Sequence, residues 1–598
     1  YWIGNILIFI SLFILSNYFV FVPLSKVFRE KYLKSLENKY SKLLSYLLLK
    51  RRPYFVLLGS ILLLISTFQL LQIYPPKILF FPENRPNYIN VFIELPVGTD
   101  IEETNNFAKI IEEEVNKSTS EYSSIIESVV TYVGQRTLNE NDPSALGMRD
   151  TPNRARININ FYEFEKRNGI NTIDVLEKLR NDINDYPGVS ITYGKDRKGP
   201  PVGGEISIQV TGPDFQELIS QVENMRKYIN DSNIPGIEKL GLDLSTRKPE
   251  LLIDFDRDRL RRYGLSTGML ANELRTSLFG KEISKYKVGE DEYKIQLRLA
   301  DQYRYDINTL LNKNITFRNQ SNGRTYQVPI SSFASMKMSN TFSSVKRKDL
   351  DKVITISSNV ISGYNPTEVN SKIDMVLKNY PLPNGYSYKF GGEQQEQEEE
   401  MAFLSNAFMI ALFLVFIIIV AQFNKIITPL IIMSSIILST IGVFLGLLIF
   451  NMDFVVVMTM IGVISLIGIV VNNAIVLIDF IELNRKRKMI GKKVQLSVEE
   501  VMECITEAGR TRLRPVILTA LTTILGLMPL AIGMNFDFVS FFKFYEVNFY
   551  LGGDNMVFFG PIAWAIIFGL SFATFLTLLV IPSMYLIQVK LNRYIGLS

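Results

Sequence analysis

Two adjacent asparagines stand inside a long apolar run and are the first residues whose types call for a chemical explanation. Asn472 and Asn473 lie within the segment Gly468–Asp479 (G-I-V-V-N-N-A-I-V-L-I-D). A polar side chain at the centre of a membrane helix is costly unless it has a partner. The pair therefore indicates either hydrogen bonding to an ionisable group inside the membrane or a structural hydrogen bond that joins two membrane helices.

Arg512 and Thr519 form a second pair of polar residues in an apolar context. They are seven residues apart, which is about two helical turns, so they share one face of a helix. Arg512 could interact with carboxylates, or its long side chain could simply reach the cytoplasmic interface. Thr522 and Thr523 can be explained by hydrogen bonds to backbone carbonyls alone.

The composition excludes several kinds of chemistry. The 598 residues include no histidine and one cysteine, Cys504. Histidine bases, histidine metal ligands, an intrachain disulfide framework and cysteine metal clusters are therefore excluded. The sequence shows no nucleophile–base pair and no phosphate loop, so we expect neither an enzyme nor a cofactor. The net charge of +5 is too small and too dispersed to indicate a nucleic-acid partner.

The elements that must position these residues are membrane helices. Hydrophobic residues make up 47% of the chain and charged residues 21%. A membrane helix needs roughly 20 apolar residues. Seven stretches qualify: Tyr1–Pro23, Tyr54–Tyr74, Met401–Gln422, Ile426–Phe450, Phe454–Ile478, Pro515–Met534 and Met556–Ile587.

The distribution of lysine and arginine sets the expected orientation. The segments Lys26–Arg52 and Arg485–Arg514 are rich in both residues, so they are predicted to be cytoplasmic. Alternating helices then export the large block Lys77–Glu400 and the aromatic-rich loop Asn535–Asn555. Because the first apolar run starts at residue 1 without a methionine or a basic flank, we expect the chain to begin in the middle of a larger protein.

The exported block has the pattern of a mixed α/β domain. Strand-like segments at Tyr88–Leu95 and Arg154–Tyr162 alternate with amphipathic helices, one of which Thr172 is expected to cap. The pattern starts again at Glu205–Thr211, which suggests repeated split βαβ units of the ferredoxin-like kind. Between the repeats, Gly199–Gly204 (G-P-P-V-G-G) is either a hinge or an ordinary surface turn.

Several of these segments resemble the RND superfamily of efflux pumps. Gly468–Asp479, Arg512–Ala520 (R-L-R-P-V-I-L-T-A) and Gly526–Leu530 (G-L-M-P-L) are similar to membrane helices of the C-terminal half of such permeases. Pro96–Thr104 (P-V-G-T-D-I-E-E-T) is similar to the start of a porter segment, and Arg261–Ser266 to the start of the C-terminal docking subdomain. The match keeps the family's order along essentially the whole chain. The hydrophobe and amphiphile branch fits better than the heavy-metal branch.

The resemblance implies a fold class: an α-helical polytopic membrane domain plus large α/β porter and docking subdomains in the periplasm. The implied division is 1–23, last helix of the first half; 24–53, amphipathic linker; 54–76, membrane helix; 77–204, first porter subdomain; 205–246 with 336–400, second porter subdomain; 247–335, docking subdomain; 401–587, five-helix bundle with a cytoplasmic loop 482–514 and a periplasmic loop 535–555; and 588–598, cytoplasmic tail.

The resemblance also assigns roles. It places Asn472, Asn473, Arg512 and Thr519 in a proton-relay network whose carboxylates belong to the N-terminal half, and it makes Gly134, Gln135 and Arg136 the start of a substrate-cleft switch loop. The alternative for that loop is a polar surface segment. Asn472 and Asn473 replace the Lys-Asn pair that is usual in the family, so the lysine of the usual relay is absent.

The expected function is proton-driven export of hydrophobic or amphiphilic compounds from a bacterial inner membrane. The partners implied by the resemblance are the N-terminal half of the permease, two further copies in a homotrimer, a periplasmic adaptor protein and an outer-membrane channel. Two rival hypotheses remain: a protein-translocation motor of the same superfamily, whose exported domain would be smaller, and a membrane receptor or scaffold that transports nothing.

Overall fold

The chain forms two compact units. The computed structural model describes residues 2–82, 85–138, 150–167, 169–195, 203–244, 248–318, 323–341, 345–361, 363–490 and 496–595. The first unit comprises Tyr1–Asp243 with Arg347–Ser598, and the second is Leu244–Lys346, inserted between those two stretches. The predicted hinge at 199–204 lies largely outside the described residues, as do residues 139–141 of the predicted switch loop.

Within the described residues, seven helices are long and apolar enough to cross a membrane, as the apolar runs predict. In chain order they are α1 (Leu7–Leu47), α2 (Arg52–Ile73), α3 (Gly392–Phe423), α4 (Ile427–Ile449), α5 (Val456–Met489), α6 (Val498–Ile532) and α7 (Asp554–Ile595).

The helices extend beyond the apolar runs on the side predicted to be cytoplasmic. α1 continues through the expected boundary at residue 24, so the predicted linker is largely a continuation of the same helix. α5 and α6 likewise reach into the predicted loop 482–514, where α6 begins at a capping box formed by Ser497 and Glu500. Hydropathy identifies only the part of a helix that lies in lipid. Outside the lipid the helix can continue as long as its backbone N–H and C=O groups have hydrogen-bond partners, so the observed helices are longer than the apolar runs.

The amphipathic end of α1 is held against the bundle. Tyr40 and Leu44 are buried, and the Tyr40 hydroxyl donates a hydrogen bond of 2.8 Å to the carbonyl oxygen of Leu578 in α7. A Cβ atom added to Gly509 in α6 would lie 2.8 Å from Leu44 Cδ2, so glycine is what permits this close approach.

Helices α4, α5 and α7 form the packed centre of the bundle. Their contacts pass through glycines: Gly442 of α4 faces Phe568 and Phe572, and Gly462 of α5 faces Ala565. Small residues let helix backbones approach closely in lipid, where van der Waals packing rather than hydrophobic exclusion stabilises association.

The first sheet lies in the block between α2 and α3. Its strands are β1 (Tyr88–Glu94), β2 (Ile126–Gly134), β3 (Thr151–Phe161) and β4 (Ser190–Lys195). Their spatial order is β2-β3-β1-β4, and all neighbours are antiparallel. Helices Ile101–Ser118 and Thr172–Asp182 cover the sheet, with buried aliphatic residues such as Val91, Ile111 and Leu179 between the layers.

The second sheet repeats the alternation of strands and helices. It contains β5 (Ile206–Gly212), β6 (Lys346–Lys348), β7 (Asp351–Ser358) and β8 (Ser387–Phe390) in the order β6-β7-β5-β8, with helices Phe215–Asp231 and Pro366–Leu377. α3 begins directly after β8. The Gly391 N–H donates to the Ser207 carbonyl oxygen at 2.8 Å, so the acidic segment before Met401 joins the sheet to a membrane helix without a break.

The second unit overlaps the segment predicted as a docking subdomain, 247–335, and that role stays a prediction. Strands Lys248–Phe255 and Ala334–Thr341 pair antiparallel, as do Asn314–Arg318 with Thr325–Pro329 and Lys281–Val288 with Asp291–Leu297. Its helices are Arg257–Arg262, Thr267–Phe279, Asp301–Arg304, Ile307–Asn312 and the 3-10 turn Ile330–Ser332.

Short elements complete the first unit. Between α6 and α7, strands Met534–Phe536 and Phe549–Leu551 pair on either side of helix Phe538–Phe544. The others are the parallel pair Ile78–Leu79 and Phe454–Val455, the strand Gly241–Leu242, and 3-10 turns at Ser120–Ile125 and Phe164–Arg167.

Candidate functional site

The structure brings Asn473 and Thr519 into direct contact. Asn473 is buried in α5, and its side-chain oxygen accepts a hydrogen bond of 3.1 Å from the Thr519 hydroxyl in α6. Thr519 Oγ1 also lies 2.9 Å from the carbonyl oxygen of Val516, one turn earlier. The hydroxyl has one proton, so at any one time it donates either to Asn473 or to the carbonyl oxygen of its own helix, and not to both. This choice of acceptors makes the pair an adjustable link between α5 and α6.

The two adjacent asparagines have different environments. Consecutive residues of a helix point about 100° apart, and here Asn473 points into the bundle whereas Asn472 is exposed. Of the two hypotheses for this pair, the structural hydrogen bond between helices describes Asn473. Asn472 lies on the exposed surface of α5.

Arg512 lies in α6 against an aromatic ring. Its guanidinium carbon is 4.4 Å from the centre of the Phe480 ring in α5, a cation–π geometry. The side chain is half-buried, and among the described residues its Nε atom has no hydrogen-bond partner. The structure thus gives the charge a site at the α5–α6 contact, with a buried donor still available to an acceptor.

A proline lies between Arg512 and Thr519. Pro515 is inside α6, and a second proline, Pro529, follows one turn before the helix ends at Gly533. Proline lacks the N–H that would bond to the carbonyl four residues earlier, so a helix bends most readily there. Thr522 and Thr523 donate to carbonyls of their own helix, the role expected for them if they have no part in transport.

Gly134, Gln135 and Arg136 lie where β2 ends. Gly134 has a φ of +75° and Arg136 a φ of +53°, and a Cβ at Gly134 would be 2.7 Å from Ile101 Cδ1. The turn therefore requires glycine at its first position. Gln135 donates a 2.9 Å hydrogen bond to Asp150, where the described chain resumes. The structure places this turn on the first sheet and the Asn473–Thr519 pair in the membrane helices, so it does not bring them together.

Sequence reasoning missed a buried polar group between the two sheets. Arg180 Nε and Glu238 Oε1 are 3.2 Å apart with both side chains largely buried, and Asn359 Nδ2 donates 2.9 Å to the other oxygen of Glu238. Burial raises the pKa of Glu238, although Arg180 and Asn359 oppose this shift. These residues are distant in sequence and follow no motif, so only the fold reveals them.

The membrane-embedded bundle, the two α/β sheets and the polar contact between α5 and α6 together define a multi-pass membrane protein with the fold of an RND permease. The sequence profile of the AcrB/AcrD/AcrF family matches residues 24–536. The chain therefore belongs to this family of RND-type efflux permeases, which are transporters and not enzymes, and the family is one of multi-pass inner-membrane proteins.

Similar proteins come from both branches of the superfamily. The chain is 26% identical over 418 residues to the multidrug resistance protein MdtC of Proteus mirabilis, covering 69% of this chain and 37% of that one. It is 26% identical over 422 residues to the cobalt-zinc-cadmium resistance protein CzcA of Cupriavidus metallidurans, covering 69% and 36%. It is 27% identical over 391 residues to the swarming motility protein SwrC of Bacillus subtilis, covering 65% and 34%.

The fold is similar to that of a solved heavy metal efflux pump. The TM-score is 0.69 at 20% identity, with 93% of this chain and 52% of that chain covered. The chain thus spans about half the length of that pump. Because both multidrug and metal-cation proteins are among the relatives, they do not support the preference for the hydrophobe and amphiphile branch.

Proposed function

We propose that the chain is the C-terminal half of a proton-driven efflux permease that exports hydrophobic or amphiphilic compounds across the cell envelope. The observation that carries this proposal is the Thr519–Asn473 hydrogen bond between two otherwise apolar membrane helices. A receptor or scaffold can also use hydrogen bonds between its helices, but the exposed Asn472 and the half-buried Arg512 beside this contact favour a transporter. The size of the block between α2 and α3, with its inserted second unit, also favours an efflux permease over a translocation motor.

In the proposed mechanism, Asn472, Arg512 and Thr519 respond to carboxylates on the N-terminal half. Asn472 and Thr519 are exposed on the chain, and Arg512 has an unused buried donor. Ionised carboxylates attract the Arg512 guanidinium toward them, and protonation removes that attraction. α6 then moves relative to α5, bending at Pro515, and Thr519 changes acceptor from Asn473 to its own helix.

The movement reaches the exported sheets through α3 in this proposal. α3 runs from the second sheet to the far side of the membrane as one helix, and its first residues are held by the Gly391–Ser207 hydrogen bond. A rigid helix transmits displacement along its axis, so rocking of the bundle opens and closes the cleft between the two sheets. Both sheets are proposed to be porter subdomains of the split βαβ, ferredoxin-like kind, in the periplasm.

The substrate class rests on the donor atoms available. The sequence has no histidine, so imidazole ligands for a transition metal are lacking, and no group of three or more Cys, Asp or Glu side chains among the described residues could hold a metal ion. Gly134, Gln135 and Arg136 are proposed to begin the switch loop that lines the substrate cleft. The residues 244–346 are proposed to dock a periplasmic adaptor and an outer-membrane channel, and three copies to form the working assembly.

The proposal is tested by dye efflux from cells that carry the whole assembly. Asn473→Ala and Thr519→Ala are compared with Thr522→Ala at matched amounts of assembled protein. We expect both variants at the α5–α6 contact to lose efflux and Thr522→Ala to keep it, since Thr522 bonds only to its own helix. Unchanged efflux in the first two would reduce the contact to structural packing. Export of cobalt or zinc in place of dyes would overturn the substrate class alone.

A further inference from the structure

The connection between α6 and α7, residues 533–553, carries a surface rich in aromatic and aliphatic side chains. We call this segment the aromatic loop. Within this loop, none of the residues of helix Phe538–Phe544 is buried. The exposed large apolar side chains of the loop include Phe538, Val539, Phe544, Val547, Phe549 and Leu551. Exposed apolar side chains concentrated on one short folded segment indicate an interaction site.

The aromatic loop is an ordered element and not a loose connection. Asn535 Nδ2 donates to the carbonyl oxygens of Gly533 and Gly552 at 2.9 and 2.8 Å, which closes the base of the loop. Asp537 caps the short helix by accepting from the N–H groups of Val539 and Ser540. The exposed apolar side chains are therefore presented by a defined backbone.

The base of the loop also contacts the first sheet region. The Tyr550 hydroxyl donates a 2.6 Å hydrogen bond to Glu165, and its ring packs against Phe164 at a centroid distance of 6.1 Å. This hydrogen bond raises the pKa of Tyr550 to about 12. The loop thus has one side held by protein and the other exposed.

The position of the aromatic loop fixes what its exposed side faces. The loop joins the ends of two membrane helices, Ile532 of α6 and Asp554 of α7, so it lies at the surface of the bilayer. The Phe542 ring packs edge to face against Phe9 of α1 at 5.8 Å, and the apolar side chains of α1 are exposed along its span. The aromatic surface is therefore continuous with an apolar helix of membrane-spanning length and composition.

We propose that the exposed face of the aromatic loop inserts into the adjacent leaflet of the membrane, with the lipid bilayer itself as the partner. Aromatic side chains are favoured at the boundary between headgroups and acyl chains. The charged residues within the loop are Asp537, Lys543 and Glu546, so there is no basic cluster to attract anionic lipids. The interaction comes from burial of apolar side chains and does not depend on lipid charge.

The insertion has a mechanical consequence. Because Tyr550 ties the loop to Glu165, a leaflet-anchored loop sets the height of the first sheet above the membrane. The anchored loop would then resist movement of the first sheet relative to the membrane. Movement between the bundle and the sheets would pass through other connections, such as α3.

The test uses a fluorescent probe at single cysteines. Cys504 is the only cysteine of this sequence, so Cys504→Ala, together with replacement of any cysteine in the rest of the permease, gives a cysteine-free background. Single cysteines at Phe538→Cys and Phe544→Cys carry an NBD label in the aromatic loop. Two labelled controls are Phe413→Cys, within the membrane span of α3, and Met375→Cys, at an exposed position on helix Pro366–Leu377. The full-length protein is reconstituted into phosphatidylcholine vesicles, with lipids brominated near the headgroup or deep in the acyl chain, and aqueous iodide as the opposing quencher.

We expect lipids brominated near the headgroup to quench both loop probes at least twofold more strongly than the Met375 probe, with little quenching by iodide. The result should be the same when a third of the lipid is anionic. Strong iodide quenching at both loop positions would place the loop in water and overturn the proposal. Protection from both quenchers would mean that protein covers the face, which overturns it equally. Insertion that appears only with anionic lipid would contradict the apolar mechanism.

Discussion

The membrane bundle and the two α/β sheets bury polar groups in different ways. In the bundle, hydroxyls such as those of Ser435 and Ser439 bond to carbonyls of their own helix, and close packing comes from glycine. In and between the sheets, whole charges are buried: Arg167 is nearly inaccessible and donates to Tyr162 and Asn87, and Arg180 pairs with Glu238. Lipid offers no water to help solvate a charge, so the bundle relies on shape and neutral hydrogen bonds.

Burial separates α6 from the packed centre of the bundle formed by α4, α5 and α7. In α4, α5 and α7, more than half of the residues in the most apolar stretch of the helix are buried. In α6 the buried share of that stretch is less than a fifth. Three of the four predicted relay residues are nevertheless on α6 or on the exposed side of α5: Arg512, Thr519 and Asn472. A sparsely buried helix that packs against this centre thus carries much of the polar chemistry, which supports the proposed role of α6 as a proton-responsive element shared with an N-terminal half.

The largest expected effect is on the packed centre of the bundle. A Cβ at Gly442 would lie 2.6 Å from the carbonyl oxygen of Phe568 and 2.5 Å from Phe572 Cβ. Gly442→Val should therefore destabilise the protein by about 3 kcal/mol, because the backbone of α7 must move. The measurement is the melting temperature of the detergent-solubilised protein by size-exclusion chromatography. Gly526→Val in α6 is the control, since nothing lies within 4 Å of its Cβ position. Equal losses for both would remove the distinction between α4 and α6.

The next effect is on transport through the α5–α6 contact. Asn473→Ala and Thr519→Ala should each lower efflux about tenfold or more, and the double variant should be no worse than either single variant, because the two residues act through one hydrogen bond. Efflux rates at matched protein levels measure this. Asn472→Ala sharpens the comparison: this exposed residue should affect transport while leaving the melting temperature unchanged. Additive losses would mean that Asn473 and Thr519 act separately.

A smaller effect concerns pH and the buried charge between the sheets. The pKa of Glu238 is raised above its ordinary value of about 4.5 by burial, and Arg180, Asn359, Tyr193 and Glu205 are the polar groups that act on it. A carboxyl with a raised pKa in the folded state stabilises fully below the unfolded value and loses that contribution as pH rises through the folded value. The melting temperature should therefore fall more between pH 4.5 and 7.5 in the unmodified protein than in Glu238→Gln. Parallel pH profiles would contradict the assignment.

The smallest effect is at an ion pair between the exposed Lys378 and the half-buried Asp374, at the end of helix Pro366–Leu377. Lys378 Nζ and Asp374 Oδ2 are 2.8 Å apart on one face of a helix end. Exposed pairs contribute little because water and salt screen them. Lys378→Ala should leave both the melting temperature and efflux unchanged within error. A clear loss of stability would show that exposed charges, and not only the buried ones, hold this region together.

Much of the architecture follows from hydropathy and periodicity. Six of the seven apolar runs and the strand Glu205–Thr211 lie within a residue or two of the observed elements or inside them. The cap of the helix after residue 170 was assigned to the wrong residue: Asn171 is the N-cap and accepts from the Ile173 N–H, whereas the buried Thr172 hydroxyl donates to Pro86. Thr and Asn both cap helices, so the sequence alone cannot choose between neighbours.

The candidate site was predictable in its residues but not in its geometry. The resemblance groups Asn472, Asn473, Arg512 and Thr519 together, yet only the packing of α5 on α6 determines that Asn473 faces inward, Asn472 outward, and Arg512 against Phe480. The role of Gly509, which leaves room for Leu44 and Tyr40, could not be predicted from the sequence. The residues that it contacts lie on a helix more than 400 residues away in the chain.

The most direct test of the central claim is proton-driven transport by the whole pump in proteoliposomes with an imposed pH gradient, comparing Thr519→Val with Thr522→Val. Valine keeps the shape of threonine and removes the hydroxyl. We predict that Thr519→Val abolishes transport driven by the gradient while dye binding to the protein is retained, and that Thr522→Val transports normally. Full gradient-driven transport by Thr519→Val would contradict the claim that the hydrogen bond between α5 and α6 is part of the proton-responsive element.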